Sequence, residues 1–380
     1  MSTSRIKALQ EGLRSHGLSC AFLVPGPNLR YLTGLNLEAF ERMILMAVPV
    51  IGDPAFIVPE LEANKVRALV SSWERASCHC APRRDTVYSY ADSDGPINAA
   101  RRALLAANLN DLSSAGAEFL HMRLLDRDII ERAGGPGKFS DLNPVIAEMR
   151  SVKDADELAA LERAAEIVDI GIAAAASAIA PGVTEREVAT AIESAMLKAG
   201  ADSVPFNAVL SGPNAALPHG ETSDCAIREG DMVICDIVAT YRGYSGDITR
   251  TFAAGHPAPE MEAVYQAVLA ANRAACTAAR PGLTGAQLDS IAREVISSAG
   301  FGEYFIHRTG HGLGLEIHEE PYIVQGADRP LKPGMVFTIE PGAYLPGIGG
   351  VRIEDDLALT ADGRRILTTF PREAIMCAPK

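Results

Sequence analysis

Positive charge is scarce in this chain. Its 35 lysines and arginines stand against 48 aspartates and glutamates, a net charge of −13. Such a surface is a poor partner for nucleic acid or an anionic membrane. Long apolar runs are also missing. The longest charge-free alanine-rich stretch, Ile170 to Thr184, contains Pro181 and Gly182 and is too short to span a bilayer. The opening Met-Ser-Thr-Ser-Arg-Ile-Lys lacks the apolar core of a secretory signal, so a cytoplasmic location is expected. The seven cysteines are odd in number and scattered, which reads as reduced thiols rather than a disulfide framework. Cys78-His79-Cys80 is followed by no second Cys/His pair at ligand spacing, so no zinc is expected there.

With 380 residues and 48 % apolar content the chain can bury two cores. The charged link Arg150-Ser-Val-Lys-Asp-Ala-Asp-Glu suggests domains over 1–150 and 151–380. In the first, an amphipathic helix is predicted over 4–17 and a strand over Ser19–Val24. A hairpin is predicted from Met43–Val50 and Ala55–Val58 around Gly52-Asp53-Pro54, with helices near 61–70 and 95–107. That mixture fits a small α/β domain. Trp73 and Tyr88 read as packing residues, with an interface role as the alternative. The second domain opens with a helix predicted from about 154 to 179. It then repeats itself at an offset of 100 residues: Ala180-Pro-Gly-Val-Thr184 and Arg280-Pro-Gly-Leu-Thr284 each start a threonine-capped helix, and Gly200 and Gly300 stop them. Gly230-Asp-Met-Val and Gly334-Met-Val continue the echo, each opening a strand expected to end in a candidate metal ligand. A duplicated unit is the natural reading.

Asp236 and Asp247 lie on two predicted strands joined by a turn at Tyr241-Arg242-Gly243. Folded symmetrically about Tyr241-Arg242, they face each other directly, with Cβ atoms roughly 4.5–5.5 Å apart. Two carboxylates at that distance require a shared proton or a cation. The C-terminal third adds His307-Arg-Thr-Gly-His311-Gly-Leu-Gly-Leu-Glu-Ile-His318, then Glu340-Pro-Gly, then Gly350-Val-Arg352-Ile-Glu354-Asp-Asp356. Gly310, Gly312 and Gly314 around His311 suit close backbone approach. Pro341 biases Glu340 toward extended backbone. Strand alternation puts Arg352, Glu354 and Asp356 on one face.

In these four motifs the chain resembles the pita-bread metallopeptidases: aminopeptidase P, prolidase and methionine aminopeptidase. The N-terminal part resembles the smaller domain carried by aminopeptidase P, prolidase and creatinase. The resemblance implies an α/β (α+β) fold: a creatinase-like N-terminal domain and a catalytic domain with pseudo-twofold duplicated helices and a curved antiparallel sheet. It implies five ligands, Asp236, Asp247, His311, Glu340 and Glu354. Asp247 and Glu354 would bridge two divalent ions, Asp236 completing one site and His311 with Glu340 the other. Oxygen-rich ligands favour manganese, with cobalt, iron or zinc also compatible.

The resemblance also implies hydrolysis of an N-terminal Xaa-Pro bond in small peptides, by a homodimer. Glu340 would move the proton, and His219 and His318 would hydrogen-bond the scissile carbonyl or the leaving nitrogen. His307 would line the leaving-group pocket. Arg352 is a candidate to steady Glu354, to grip a substrate carboxylate, or simply to pair with Asp356. His16, His79, His121 and His256 lack such context and read as surface or structural. A dipeptidase and an aminopeptidase remain open, as do a non-peptide amide hydrolase of ectoine or creatine type and a non-catalytic binding protein; the intact ligand set argues against the last. One position departs from the family: Val238 stands where glycine is usual, which touches the shape of the substrate pocket.

Overall fold

The computed structural model describes residues 2–38, 40–76, 86–109, 114–373 and 376–377. Cys78-His79-Cys80 lies outside the described residues. The chain divides into two units, Met1–Arg150 and Ser151–Lys380.

In the first unit the elements run α1 (Ser2–Ser15), β1 (Cys20–Leu23), α2 (Pro27–Thr33), β2 (Leu45–Pro49), β3 (Ala55–Pro59) and α3 (Glu60–Ala76). They continue with β4 (Val87–Tyr90), α4 (Ile97–Ala106), β5 (Ala115–Ala117), α5 (Leu124–Arg132), β6 (Phe139–Asp141) and α6 (Asn143–Ser151). The strands form one mixed sheet in the order β4-β3-β2-β1-β5-β6. β1, β2 and β3 are buried along their whole length. Strands covered on both faces read as continuous apolar runs, which is why this part of the sequence gives strand signals without alternation. The β2–β3 hairpin pairs Ala47 with Ala55. Trp73 packs against Phe56, and Tyr88 lies against the apolar core of this unit, so both serve internal packing. The buried carboxylate of Glu118 accepts hydrogen bonds from Val24 N (2.6 Å) and Asn28 Nδ2 (2.8 Å). The Asn28 amide oxygen accepts one from Arg150 (2.6 Å), so the buried polar groups are satisfied by one another.

The second unit is built twice over. Its first half holds α7 (Ala155–Ala178), α8 (Glu185–Lys198), β7 (Ser203–Ser211), β8 (Met232–Tyr241) and β9 (Tyr244–Ala254). Its second half holds α9 (Pro259–Ala278), α10 (Gly285–Ser298), β10 (Gly310–Gly312), β11 (Glu319–Ile323), β12 (Val336–Ile339), β13 (Gly342–Leu345), β14 (Gly349–Arg352), β15 (Asp355–Thr360) and β16 (Gly363–Ile366), followed by the short β17 (Met376–Cys377). Thr184 caps α8 in a box with Glu187, and Thr284 caps α10 in a box with Gln287. Gly182 and Gly282 both adopt positive φ, and their amides donate to Ile227 O (2.8 Å) and Leu331 O (2.9 Å). Each helix pair backs antiparallel strands. Val168, Ile192 and Ile237 belong to one core, and Val268, Leu288 and Phe337 to the other.

The strands fall into three sheets, ordered β17-β9-β8-β7, β11-β10-β12-β15-β16 and β13-β14. The halves meet along β9 and residues 352–356. There Glu354 N donates to Thr249 O (3.0 Å), Thr251 Oγ1 donates to Arg352 O (2.8 Å), and Asp247 N donates to Asp356 Oδ2 (3.0 Å).

Gly246, immediately before Asp247, lets β9 touch helix α7: a Cβ there would stand 2.5 Å from the Ala164 carbonyl carbon and 2.7 Å from Ala165 N. Backbone atoms cannot yield as a side-chain tip can. Gly246→Ala is expected to cost about 2–3 kcal/mol, the scale of overpacking. Gly363→Ala, which meets nothing within 4 Å, should stay within about 0.5 kcal/mol of wild type. Urea denaturation of the two variants checks this.

Candidate metal centre

The β8–β9 hairpin sets the first side chains, in a register different from the symmetric fold expected. Tyr241 pairs with Tyr244, so the turn is the two residues Arg242 and Gly243, both at positive φ (51° and 79°). Positive φ at both positions marks the I′ turn, whose twist matches that of the strands it joins. Asp236 consequently pairs with Thr249, and Asp247 with Val238. The two aspartates share a face but stand diagonally, not opposite. Asp236 also lies within β8 rather than at its end. Cys235, Ile237 and Ile248 take the other face, against the α7–α8 core. The buried Val238 side chain is the cross-strand neighbour of Asp247.

His311 is the middle residue of β10, flanked by glycines that neighbouring strands press upon. A Cβ at Gly310 would meet Thr338 O at 2.0 Å, and one at Gly312 would meet Glu320 O at 2.4 Å. Close approach across this strand therefore needs glycine on both sides of His311. Thr338 Oγ1 accepts from His311 N (3.2 Å) and reaches Glu340 Oε1 (3.5 Å). Glu340 follows β12 directly, its amide donating to Thr309 O (2.7 Å). Glu354 lies between β14 and β15, and its Oε2 accepts from Thr249 Oγ1 (2.7 Å).

Asp247, His311 and Glu354 come together, one ligand atom from each lying within 4.8 Å of the others. Glu340 joins through His311, with Nε2 and Oε1 at 3.3 Å. Asp236 is instead bound by the Arg352 guanidinium. Arg352 also donates to Tyr344 OH (2.6 Å), so its ion pair is with Asp236 and not with Asp356. Asp356 turns one oxygen to Asp247 N.

Burial and mutual repulsion raise the proton affinity of this group. Burial pushes Asp247 well above the usual carboxylate range, and the charges of Asp236, Asp356 and Glu340 add to it. Glu354 is raised in the same way, by burial and then by Asp247 and Glu340. Burial lifts Glu340 to about 7, with the Arg352 charge opposing. His311 is pushed down to about 3 by burial and by the neighbouring His318, which keeps its imidazole neutral and able to ligate. Among the described residues, neither Asp247 Oδ1 nor Asp356 Oδ1, both buried, has a hydrogen-bond partner. An orphaned carboxylate oxygen beside a neutral imidazole and a second buried carboxylate is a donor set that a divalent cation satisfies.

The other predicted residues take distinct places. His318 is exposed, with its ring 4.2 Å from that of His311 in an edge contact. His219 is exposed, on the segment before β8. His307 has both ring nitrogens engaged, Nδ1 with Arg308 O (2.7 Å) and Nε2 with Tyr344 OH (2.9 Å). Burial lowers it to about 4. The neutral ring donates from Nδ1 and accepts the Tyr344 hydroxyl proton at Nε2, while Tyr344 O accepts from Arg352.

Several residues in this shell carry no motif signal. Thr249 and Thr338 are ordinary strand threonines in sequence, and Tyr344 falls four residues after Glu340 in an unremarkable run. Only strand alternation, which puts Thr338 on the side of Glu340, hints at any of them.

Comparison with known proteins fits this geometry. Residues 159–361 match metallopeptidase family M24, and residues 5–152 match the creatinase/prolidase N-terminal domain. The crystal structure of the dipeptidase PepE from Mycobacterium ulcerans superposes with a TM-score of 0.89 at 36 % identity, covering 99 % of this chain and 98 % of that one. A prolidase from Thermococcus sibiricus gives 0.88 at 38 % identity, covering 99 % of each chain. The Xaa-Pro dipeptidase of Pyrococcus furiosus is 46 % identical over 239 residues, 63 % of this chain and 69 % of its own. The chain is a member of metallopeptidase family M24, an enzyme of the pita-bread fold that carries the creatinase/prolidase N-terminal domain.

Proposed function

We propose that this enzyme hydrolyses the bond between an N-terminal residue and a following proline in small peptides, using two divalent cations held by Asp236, Asp247, His311, Glu340 and Glu354. The observation that carries the reading is the buried Asp247–His311–Glu354 cluster with Glu340 beside it, more negative charge than the nearby Arg352 can neutralise. The preference for proline is supported by relatives named prolidase and Xaa-Pro dipeptidase. Four carboxylates and one imidazole suit manganese first, and also cobalt, iron or zinc. Bound there, such cations would supply Lewis-acid polarisation of the scissile carbonyl and a water of lowered pKa.

The protein groups do the rest. Glu340, its carboxylate 3.3 Å from His311 Nε2, is placed to take a proton from the attacking water and release it to the leaving nitrogen. That delivery is essential, because a proline amide nitrogen carries no hydrogen of its own. His318 and His219, both open to solvent, offer hydrogen bonds to the carbonyl oxygen as charge develops on it. His307, its nitrogens engaged, contributes its ring to the wall of the leaving-group pocket. Arg352 orients Asp236. The reading extends to a cytoplasmic location, which the free thiols of Cys20, Cys225, Cys235 and Cys276 support, and to a homodimer. Among the described residues no helix is long and apolar enough to cross a membrane. Size-exclusion chromatography with light scattering tests the dimer.

Two outcomes follow. Glu340→Gln is expected to lower kcat on Ala-Pro by about 10²–10⁴-fold, the range of positioned acid–base groups, while circular dichroism stays unchanged. Metal removal should expose the repulsion in the cluster. The native Glu340 keeps a proton up to about 7, whereas the unfolded chain loses it near pH 4.3. The native state therefore binds more protons in that window, and stability of metal-free protein falls as pH rises through about 7. His307 and His311, held at about 4 and 3, act oppositely, and only below their ordinary value of about 6.5. EDTA-treated protein should thus melt at a lower temperature at pH 8 than at pH 6.5. The gain in Tm on adding Mn²⁺ should be larger at pH 8. An equal gain at both values would contradict the assignment.

A further inference from the structure

Lys153 and Glu319 are buried together, and the proposed reaction uses neither. Their side chains are 1 % and 7 % exposed, and Lys153 Nζ donates to Glu319 Oε1 at 2.9 Å. Taking two charges out of water is expensive, and an apolar pair of similar volume often serves stability as well or better. What an ion pair adds over an apolar one is a defined geometry.

The two residues join parts of the catalytic unit that are far apart in the chain. Lys153 lies just before α7, and its backbone is fixed there. Its amide donates to Gly334 O (2.9 Å), and Asp154 caps the helix in a box with Glu157. Glu157 in turn accepts from Tyr244 OH (2.8 Å), just after the β8–β9 turn. Glu319 opens β11 and pairs with Gly312, so it closes the loop 313–318 between β10 and β11. Its carboxylate lies against that loop. A Cβ at Gly314 would stand 2.6 Å from Glu319 Oε1 and 2.8 Å from Oε2, and Glu316 N donates to Oε2 at 3.5 Å. Gly314 O accepts from Ser245 N (2.8 Å), two residues before Asp247.

The last residue of this loop is His318. Glu319 is buried on Lys153, whereas His318 is exposed, its ring 4.2 Å from that of His311. An exposed side chain gains little support from packing around it, so the backbone that carries His318 sets its place. A displacement of about 1 Å at a reacting group can cost on the order of 100-fold in rate. Resting on the Xaa-Pro reading, we propose that Lys153 is a positioning residue: through the Glu319 carboxylate it anchors the β10–β11 loop and holds His318 at the scissile carbonyl.

Lys153→Met alone would leave the buried Glu319 carboxylate without this cation and risks unfolding. The variant of choice is Lys153→Met/Glu319→Met, which keeps bulk at both places and removes both charges; Lys153→Met/Glu319→Gln serves if it does not fold. Mn²⁺-loaded protein is assayed on Ala-Pro. The paired substitution is expected to lower kcat by about 10- to 100-fold, with KM little changed, because the hydrogen bond from His318 strengthens in the transition state. In a His318→Gln background the same substitution should lower kcat further by no more than about twofold, since the two changes remove one interaction. A pair that only supports the fold would cost the same factor in both backgrounds. That result, or no loss in the wild-type background, overturns the proposal. Hydrogen exchange of the same Mn²⁺-loaded proteins, read by mass spectrometry, needs no catalysis. Exchange in the paired variant should quicken over residues 313–319 and stay unchanged over the β8–β9 hairpin. If no protein cleaves Ala-Pro, the peptidase reading fails and exchange alone decides. Acceleration confined to 313–319 then keeps Lys153 as the anchor of that loop. Exchange unchanged there, or faster throughout the unit, overturns it.

Discussion

Carboxylates held out of water beside one another repel, and the catalytic unit is organised around that repulsion. Asp247 and Glu354 are buried against each other, Glu340 adjoins them through His311, and each holds its proton more tightly than an exposed carboxyl would. Folding brings these groups together only because the surrounding strands fix them from several directions. Such a cluster is relieved by protons or by cations. The buried Asp247 Oδ1, unpartnered among the described residues, favours the cation.

The scaffold reaches this arrangement by duplication. Two helix pairs, capped alike, back two sets of antiparallel strands, and the ligands come from both halves: Asp236 and Asp247 from the first, His311, Glu340 and Glu354 from the second. The seam between them is polar. Thr249 holds Glu354, Asp356 receives the Asp247 amide, and Arg250 with Asn272 and Arg372 gathers around buried Asp355. With Glu354 and Asp355 adjacent in sequence, one side chain faces the reacting groups while the other anchors the backbone beneath. A second chain of hydrogen bonds runs from Asp236 through Arg352 and Tyr344 to His307, and ends on the Arg308 carbonyl. The placement of Asp236 is in this way tied to the segment that leads into His311.

The sequence was most legible where chemistry is local. A threonine after Pro-Gly caps a helix whatever surrounds it, so the repeat at an offset of 100 residues could be read directly, and the helices it announces are in the structure. Glycines on both sides of His311 signalled close backbone approach, and Thr338 and Glu320 supply it. Short strands such as β5 and β6 gave little signal, because three residues carry no period. The hairpin register was misread by two residues on one strand. Positive φ at both Arg242 and Gly243 selects a two-residue turn, and only the twist of the paired strands enforces it.

Residue types and their order therefore determined the duplicated architecture, the family and the set of candidate ligands, since caps, turns and ligand motifs act over a few neighbouring positions. The tertiary structure alone decided which of those groups meet. It placed Asp236 in the grip of Arg352 and engaged both nitrogens of His307. Each of these depends on side chains far apart in the chain, whose distances are set by strand register and packing rather than by any local preference.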